Sequence, residues 1–204
     1  IAWHNYEFEI LGLDLEMKIA GLRKDVGGVA TEELPTLKIK TSISDWDDFL
    51  VDQVDIEPFQ AEDLPGWTFT ARDIVYDNSL YRNSAHFEKF PKGYDQSQVL
   101  QFGQINSWTG LFIKEISVKM PKTLEFGDES EKRLEISATN MFFDKSGATL
   151  EIGANNILSA KTGKAGGWAF TLDHLYFNFI QNDFTNCRFD GRFDVPILEG
   201  EIGY

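Results

Sequence analysis

Greasy and wet side chains exchange places every second position over much of this chain, and that period limits what it can fold into. A pleated strand turns successive side chains to opposite faces, whereas a helix repeats every 3.6 residues. Tyr6, Phe8 and Ile10 alternate with Asn5, Glu7 and Glu9, and Leu13, Leu15, Met17 and Ile19 continue the pattern. Leu37, Ile39, Thr41 and Ile43 alternate with Lys38 and Lys40, while Ile116, Val118 and Met120 oppose Glu115, Ser117 and Lys119. Phe189, Gly191, Phe193, Val195 and Ile197 face Arg188, Asp190, Arg192 and Asp194, which predicts a strand with one dry and one wet side. The expected fold is all-β, an antiparallel β-sandwich or stacked β-sheets.

Turn formers divide these runs. Gly12 marks a bulge or turn, Gly27-Gly28 and Pro35 separate two early strands, and Pro121, lacking an N–H, ends another. Asp144-Lys145-Ser146-Gly147 joins Leu134 to Phe143 with Ala148 to Ala154 as a hairpin. Leu172 to Ile180 has almost no polar face and reads as a central strand covered on both sides. Only Ser44 to Val54 suggests a helix: Ser44 can cap it, and Trp46, Phe49, Leu50 and Val54 fall at spacings of three and four. One or two short helices are therefore the most the chain is expected to hold.

Gly66-Trp67-Thr68-Phe69-Thr70 is echoed by Gly167-Trp168-Ala169-Phe170-Thr171, which raises the prospect of two related β-units. The division expected is an N-terminal β segment with the short helix over 1–65 and a main β domain over 66–204, the two also fitting within one domain. The lone Cys187 cannot form an internal bridge, so a packed core must supply the stability.

A formal charge of −14 opposes phosphate, which argues against nucleic acid and against anionic lipid. Cations and basic protein surfaces are the electrostatic partners that remain. No apolar run approaches the roughly 20 residues of a membrane helix, so no membrane insertion is expected of this segment. The chain starts Ile1-Ala2-Trp3, and Pro196 to Tyr204 passes from one strand-like run into the next, so the polypeptide is expected to continue beyond it.

Phe90-Pro91-Lys92-Gly93-Tyr94 followed by Trp108 to Pro121, then Gly167 to Phe170 and Phe189 to Pro196, resembles recurring segments of very large, poorly characterised β-rich bacterial proteins. The similarity runs over residues 66 to 197. It rests on aromatic, Gly and Pro positions and implies a fold, with no catalytic or binding residue carried over.

Asp45, Asp47 and Asp48 head an acidic stretch from Thr41 to Ala71 that also holds Asp52, Asp55, Glu57, Glu62 and Asp63 but no Lys or Arg. Clustered carboxylates are what Ca²⁺ requires, although the Gly and distant Glu of an EF-hand loop are missing and a solvated face explains the acids more simply. Trp3, Trp46, Trp67, Trp108 and Trp168 are candidates for stacking on sugar rings, yet Trp67 and Trp168 open apolar strands as core anchors would. Trp108, Tyr81 and Tyr94, in or beside the long Asn78-to-Ser107 loop, are the expected solvent-facing ligand-binding rings.

Catalysis has no comparable signal. Among 33 acidic residues any carboxylate pair can be chosen, His4, His86 and His174 lack metal-ligand spacing, and no nucleophile elbow or phosphate loop occurs. His174 reads as a satisfied core or edge residue and Cys187 as a small packed side chain. The expected role is a non-catalytic structural or interaction module of a larger exported or surface protein, secreted or at the cell surface, with a protein or a glycan as partner. A carbohydrate-binding module with structural Ca²⁺ and a cargo or effector segment of a secretion or injection system are the alternatives, and a β-fold glycan-active enzyme, which needs a cleft with two facing carboxylates, is a third.

Overall fold

The structure is a computed structural model that describes residues 10–45, 48–80, 89–121, 133–159, 163–165, 168–195 and 200–203. Its strands are β1 (Ile10–Lys18), β2 (Leu22–Val26), β3 (Val29–Ala30), β4 (Thr36–Asp45), β5 (Asp48–Ala61), β6 (Thr68–Asp77), β7 (Gly110–Lys119) and β8 (Glu135–Asp144). There follow β9 (Gly147–Leu158), β10 (Lys164–Ala165), β11 (Trp168–Ala169), β12 (Leu172–Ile180), β13 (Asp183–Asp190), β14 (Arg192–Val195) and β15 (Gly200–Gly203). Two 3-10 turns, Gln96–Gln98 and Ile105–Ser107, are the only helical segments among the described residues.

The alternation is thus expressed as an all-β, antiparallel architecture. An 11-stranded sheet runs in the order β1-β4-β5-β6-β7-β8-β9-β12-β13, with β2 pairing both β3 and the end of β5. Two small ribbons, β10-β11 and β14-β15, accompany it. Gly27 and Gly28 both take positive φ (65° and 88°) in the two-residue turn between β2 and β3, a conformation that requires residues tolerant of the left-handed region. Gly12 lies within the register shift between Ile10 and Leu13, the hairpin over 134–154 closes at Asp144↔Gly147, and β7 stops two residues before Pro121.

Several expectations need correcting. The proposed helix over 44–54 is instead the facing ends of β4 and β5, with Ser42↔Leu50, Ile43↔Phe49 and Asp45↔Asp48 paired. Register shifts between Lys40 and Thr41, between Ile43 and Asp45, and between Val51 and Val54 break the two-residue period here. The resulting spacings of three and four mimic a helix, while β-branched Val51 and Val54 suit the pleat.

Strand β12 is not covered on both sides. It lies second from the sheet edge and all its described side chains are half-buried or exposed. Its polar rims, His174, Tyr176 and Asn178, alternate with Leu175, Phe177 and Phe179, a pattern that Tyr176 disguises in the sequence. The run from Phe189 to Ile197 is not one strand either: pairing stops at Asp190, Gly191 intervenes, and β14 leaves to pair with β15. Phe189, on the side expected to be dry, is 57% exposed, and Cys187 is exposed rather than packed.

The echoed pentapeptides occupy different settings, since Thr68 opens the ten-residue β6 whereas Trp168 lies in the two-residue β11. Position 66 falls between β5 and β6, which are paired neighbours in the main sheet. Trp67 is half-buried.

The buried core gathers at one end of the sheet. The segment from Phe90 to Trp108, between β6 and β7, folds over the strands so that Phe90, Tyr94, Val99 and Trp108 pack on Leu50, Val75, Phe112 and Phe142. Asp144 anchors it, accepting hydrogen bonds from the Tyr94 hydroxyl, from Trp108 Nε1 at 2.9 Å and from Ser146 N at 2.8 Å. Gln181, at the β12–β13 turn, donates to Asp95 O (3.0 Å) and Ser146 Oγ (2.9 Å) and accepts from Asp95 N (2.9 Å). Burial, together with the hydrogen bond to Asp144, raises the Tyr94 hydroxyl well above the usual tyrosine range.

Candidate functional surfaces

Trp108 and Tyr94 are not presented to a ligand, although Phe102 in the same loop is 97% exposed. Trp108 is 1% and Tyr94 7% exposed, both within the core just described, because each carries a polar tip that Asp144 satisfies in a dry setting. Tyr81 and Asp47, and also Trp3, Trp46, His4 and His86, lie outside the described residues. Asp45 and Asp48 form the last pair across the β4–β5 hairpin. Among the described residues no three His, Cys, Asp or Glu side chains converge in a way that could hold a metal ion. His174 sits on the sheet, its Nδ1 2.8 Å from Asn155 Oδ1.

The site that sequence reasoning missed is a whole face of the sheet. Following the register from strand to strand, Met17, Leu37, Ile56, Ala71, Ile116, Ala138, Ile152, Phe177 and Cys187 form one unbroken transverse row across all nine strands of the main path. Two residues along, Phe59, Phe69, Val118, Ile136, Ala154, Leu175 and Phe189 form a second. Neither contains a charged or amide side chain.

The intervening positions are their opposite in character. Thr68, Lys119, Glu135, Asn155, His174 and Asp190 form one polar row. Thr70, Ser117, Ser137, Gly153, Tyr176 and Arg188 form the next, then Arg72, Glu115, Thr139, Glu151, Asn178 and Asn186. Cross-strand ion pairs lace this face, including Arg72–Glu115 at 2.9 Å and Lys119–Glu135 at 3.7 Å. The Arg188 guanidinium lies 4.8 Å from the centre of the Tyr176 ring.

Bulges keep the apolar side continuous past the middle of the strands. Asp73 and Asn140 have positive φ (47° and 48°), and there β6 carries one residue more than β5, and β8 one more than β9. Residues three apart, Ala71 and Ile74 or Ala138 and Met141, therefore share a side. Beyond the bulges the apolar face continues as Leu15, Ile39, Val54, Ile74, Ile113 and Met141, then Val51, Tyr76, Leu111, Phe143 and Ala148. The same shift places Phe142 and Thr149 with Thr139 and Glu151, so the Phe90-to-Trp108 layer covers the end of the polar side.

Much of the apolar face is open. Met17 is 50%, Ile136 45% and Phe189 57% exposed, and Leu15, Tyr76, Ile116, Phe143, Ile152 and Phe177 also count among the exposed large hydrophobics. Contiguous apolar surface of this extent is uncommon on monomeric proteins, whereas scattered single exposed apolar residues are ordinary.

On the polar side a groove of about 740 Å³ lies beside the Pro91-Lys92-Gly93 turn, bordered by Asn140, Glu151, Asn178 and Asn186. Elsewhere on the molecule Glu57 accepts from Lys24 Nζ at 2.7 Å and from Thr36 N at 2.9 Å. Those bonds hold its carboxyl at about 2, below the usual glutamate range, and raise Lys24 in turn. No helix among the described residues is long and apolar enough to cross a membrane. Compared with protein-family models, curated proteins and solved structures, the chain matches none.

Proposed function

We propose that the chain is a non-catalytic structural or interaction module of an exported or surface protein, and that the apolar sheet face is the surface by which it docks. The carrying observation is a pair of uncharged rows, one spanning nine strands and the other seven, with several members half exposed. The ion-paired opposite side keeps the module in water, and the pleated strands hold the docking side rigid, so little order is lost when a partner arrives.

A double substitution tests this reading. Ile136→Asp with Ile152→Asp places two carboxylates on a docking face at a cost of about 1 kcal/mol or less each, because both sites already reach solvent. The variant should keep its β-type circular dichroism while its binding of the neutral dye Nile red in dilute solution collapses. Global unfolding of the variant would instead mean that the face is an interior of the folded chain, and the proposal would fail.

The polar groove favours a second reading, a carbohydrate-binding module. Asn140, Asn178 and Asn186 border it with Glu151, and amide and carboxylate groups in adjacent rows suit the vicinal hydroxyls of a neutral sugar. Calorimetry with cellohexaose, mannohexaose, xylohexaose and maltohexaose, in CaCl₂ and in EDTA, tests both the sugar and the calcium. Heats indistinguishable from buffer at millimolar sugar would remove this reading.

A further inference from the structure

We infer that the docking partner is a second copy of this chain, with the two apolar faces packed sheet on sheet; the inference rests on the interaction-module reading above. Size is the first argument. The four rows on that side, of five, six, nine and seven residues, bring twenty-seven side chains to one side of the sheet, and all but the buried Ile113 and Met141 reach solvent. With strands about 4.8 Å apart and same-side residues about 6.8 Å apart, each occupies roughly 33 Å², so the twenty-five that reach solvent make a footprint of about 800 Å². A stable pairwise interface needs about 800 Å² and 20–30 residues from each partner.

Charge is the second argument. The chain carries −14, yet none of the twenty-seven positions is Asp, Glu, Lys, Arg or His, so all of that formal charge lies outside the patch. A basic partner would find no carboxylate to pair with inside this surface and would bury its own cations unpaired, at a cost of several kcal/mol each. A matching uncharged sheet meets no such penalty, and the repulsion between copies is confined to the rims, where water and salt screen it.

Shape is the third. Two twisted antiparallel sheets pack face to face about 10 Å apart with strand directions within about 30°, the arrangement that a face with period-two apolar residues requires. The same patch serves both copies, so the assembly closes as a two-fold dimer and does not polymerise through this surface.

Sedimentation velocity on the wild-type chain from about 0.1 to 100 µM is the test. A reversible monomer-to-dimer shift is expected, weakened at least tenfold by Ile136→Asp or by Phe177→Asp. Asn186→Asp, on the opposite side, should leave it unchanged. Nile red bound by the dilute monomer should be released as the dimer forms.

A species that stays monomeric at 100 µM overturns the dimer, and if it still binds dye through Ile136 and Ile152 the docking face survives without it. A monomer that purifies with a lipid or other apolar ligand on the face also overturns the dimer. Association indifferent to both face charges does the same. If Ile136→Asp and Ile152→Asp unfold the isolated chain, the docking face fails along with the dimer.

Discussion

Two phenylalanines on opposite sides of the sheet should respond very differently to removal of the same ring. Phe142 is 2% exposed and its ring centre lies 4.9 Å from that of Phe112, 5.7 Å from Phe90 and 5.9 Å from Trp108. Truncation to alanine loses the transfer energy of a buried ring and leaves a cavity between rings fixed by the strands and by Asp144. Such a change costs about 3–5 kcal/mol. In a chain of this size each kcal/mol lowers the melting temperature by about 2–4 °C, so Phe142→Ala should melt roughly 6–20 °C below wild type.

Phe189 is 57% exposed, so Phe189→Ala forfeits less than half of the 1.5–3 kcal/mol of a buried ring, about 1 kcal/mol, and leaves no cavity. Urea unfolding of both variants at 0.1 µM, followed by tryptophan fluorescence and compared at equal m-value, measures the contrast. Equal losses, or a loss below about 1.5 kcal/mol for Phe142→Ala, would refute the assignment of the core to the Phe90-to-Trp108 layer.

Three further outcomes follow from local geometry. Tyr94→Phe removes one hydrogen bond to Asp144 from a buried site and should cost about 1–2 kcal/mol in the same urea assay, with the sheet retained by circular dichroism. Glu57 has its folded pKa at about 2, below an unfolded value near 4.3, so the stability it contributes is fully present above that unfolded value and is lost as pH falls toward 2. Glu57→Gln should therefore flatten that part of the melting temperature's fall between pH 4.5 and 2, read by differential scanning calorimetry. Finally, a Cβ at Gly110 would sit 2.6 Å from the Phe143 carbonyl oxygen and one at Gly153 would sit 2.8 Å from the Tyr176 ring. Gly110→Ala should cost about 2 kcal/mol because backbone must move, whereas Gly153→Ala should cost less because the ring can swing aside, a difference that thermal melts will resolve.

The strands were legible because their period is local: Leu37 to Ile43 and Ile116 to Met120 announce their faces within a few residues. The transverse rows were not, since they depend on which strand neighbours which. Ile116 meets Ile152 and Phe177 only through pairings spanning some sixty residues of sequence. Bulges hid the rest. At Asp73 and Asn140 the alternation skips a position, so Ile74 and Met141 read from sequence as belonging to the wrong side, and near Ser44 the same skipping imitated a helix.

Trp108 and Tyr94 misled for a different reason. Their place in or beside the long loop suggested solvent, but Asp144, thirty-six and fifty positions away, gives both polar tips a partner in the interior. Asn140 does have a visible signal in retrospect, because asparagine is among the few residues that tolerate the left-handed backbone a bulge of this kind uses.

The extra residues at Asp73 and Asn140 also set how this sequence can vary. Deleting Asn140 would restore strict alternation through β8 and rotate Met141, Phe142 and Phe143 to the opposite sides from those they now occupy. Phenylalanine 142 would then point away from its aromatic neighbours, and the edge of one layer would be turned inside out. Length changes in these strands should therefore be tolerated in compensating pairs across neighbours, while conservative replacements at the same positions remain comparatively harmless.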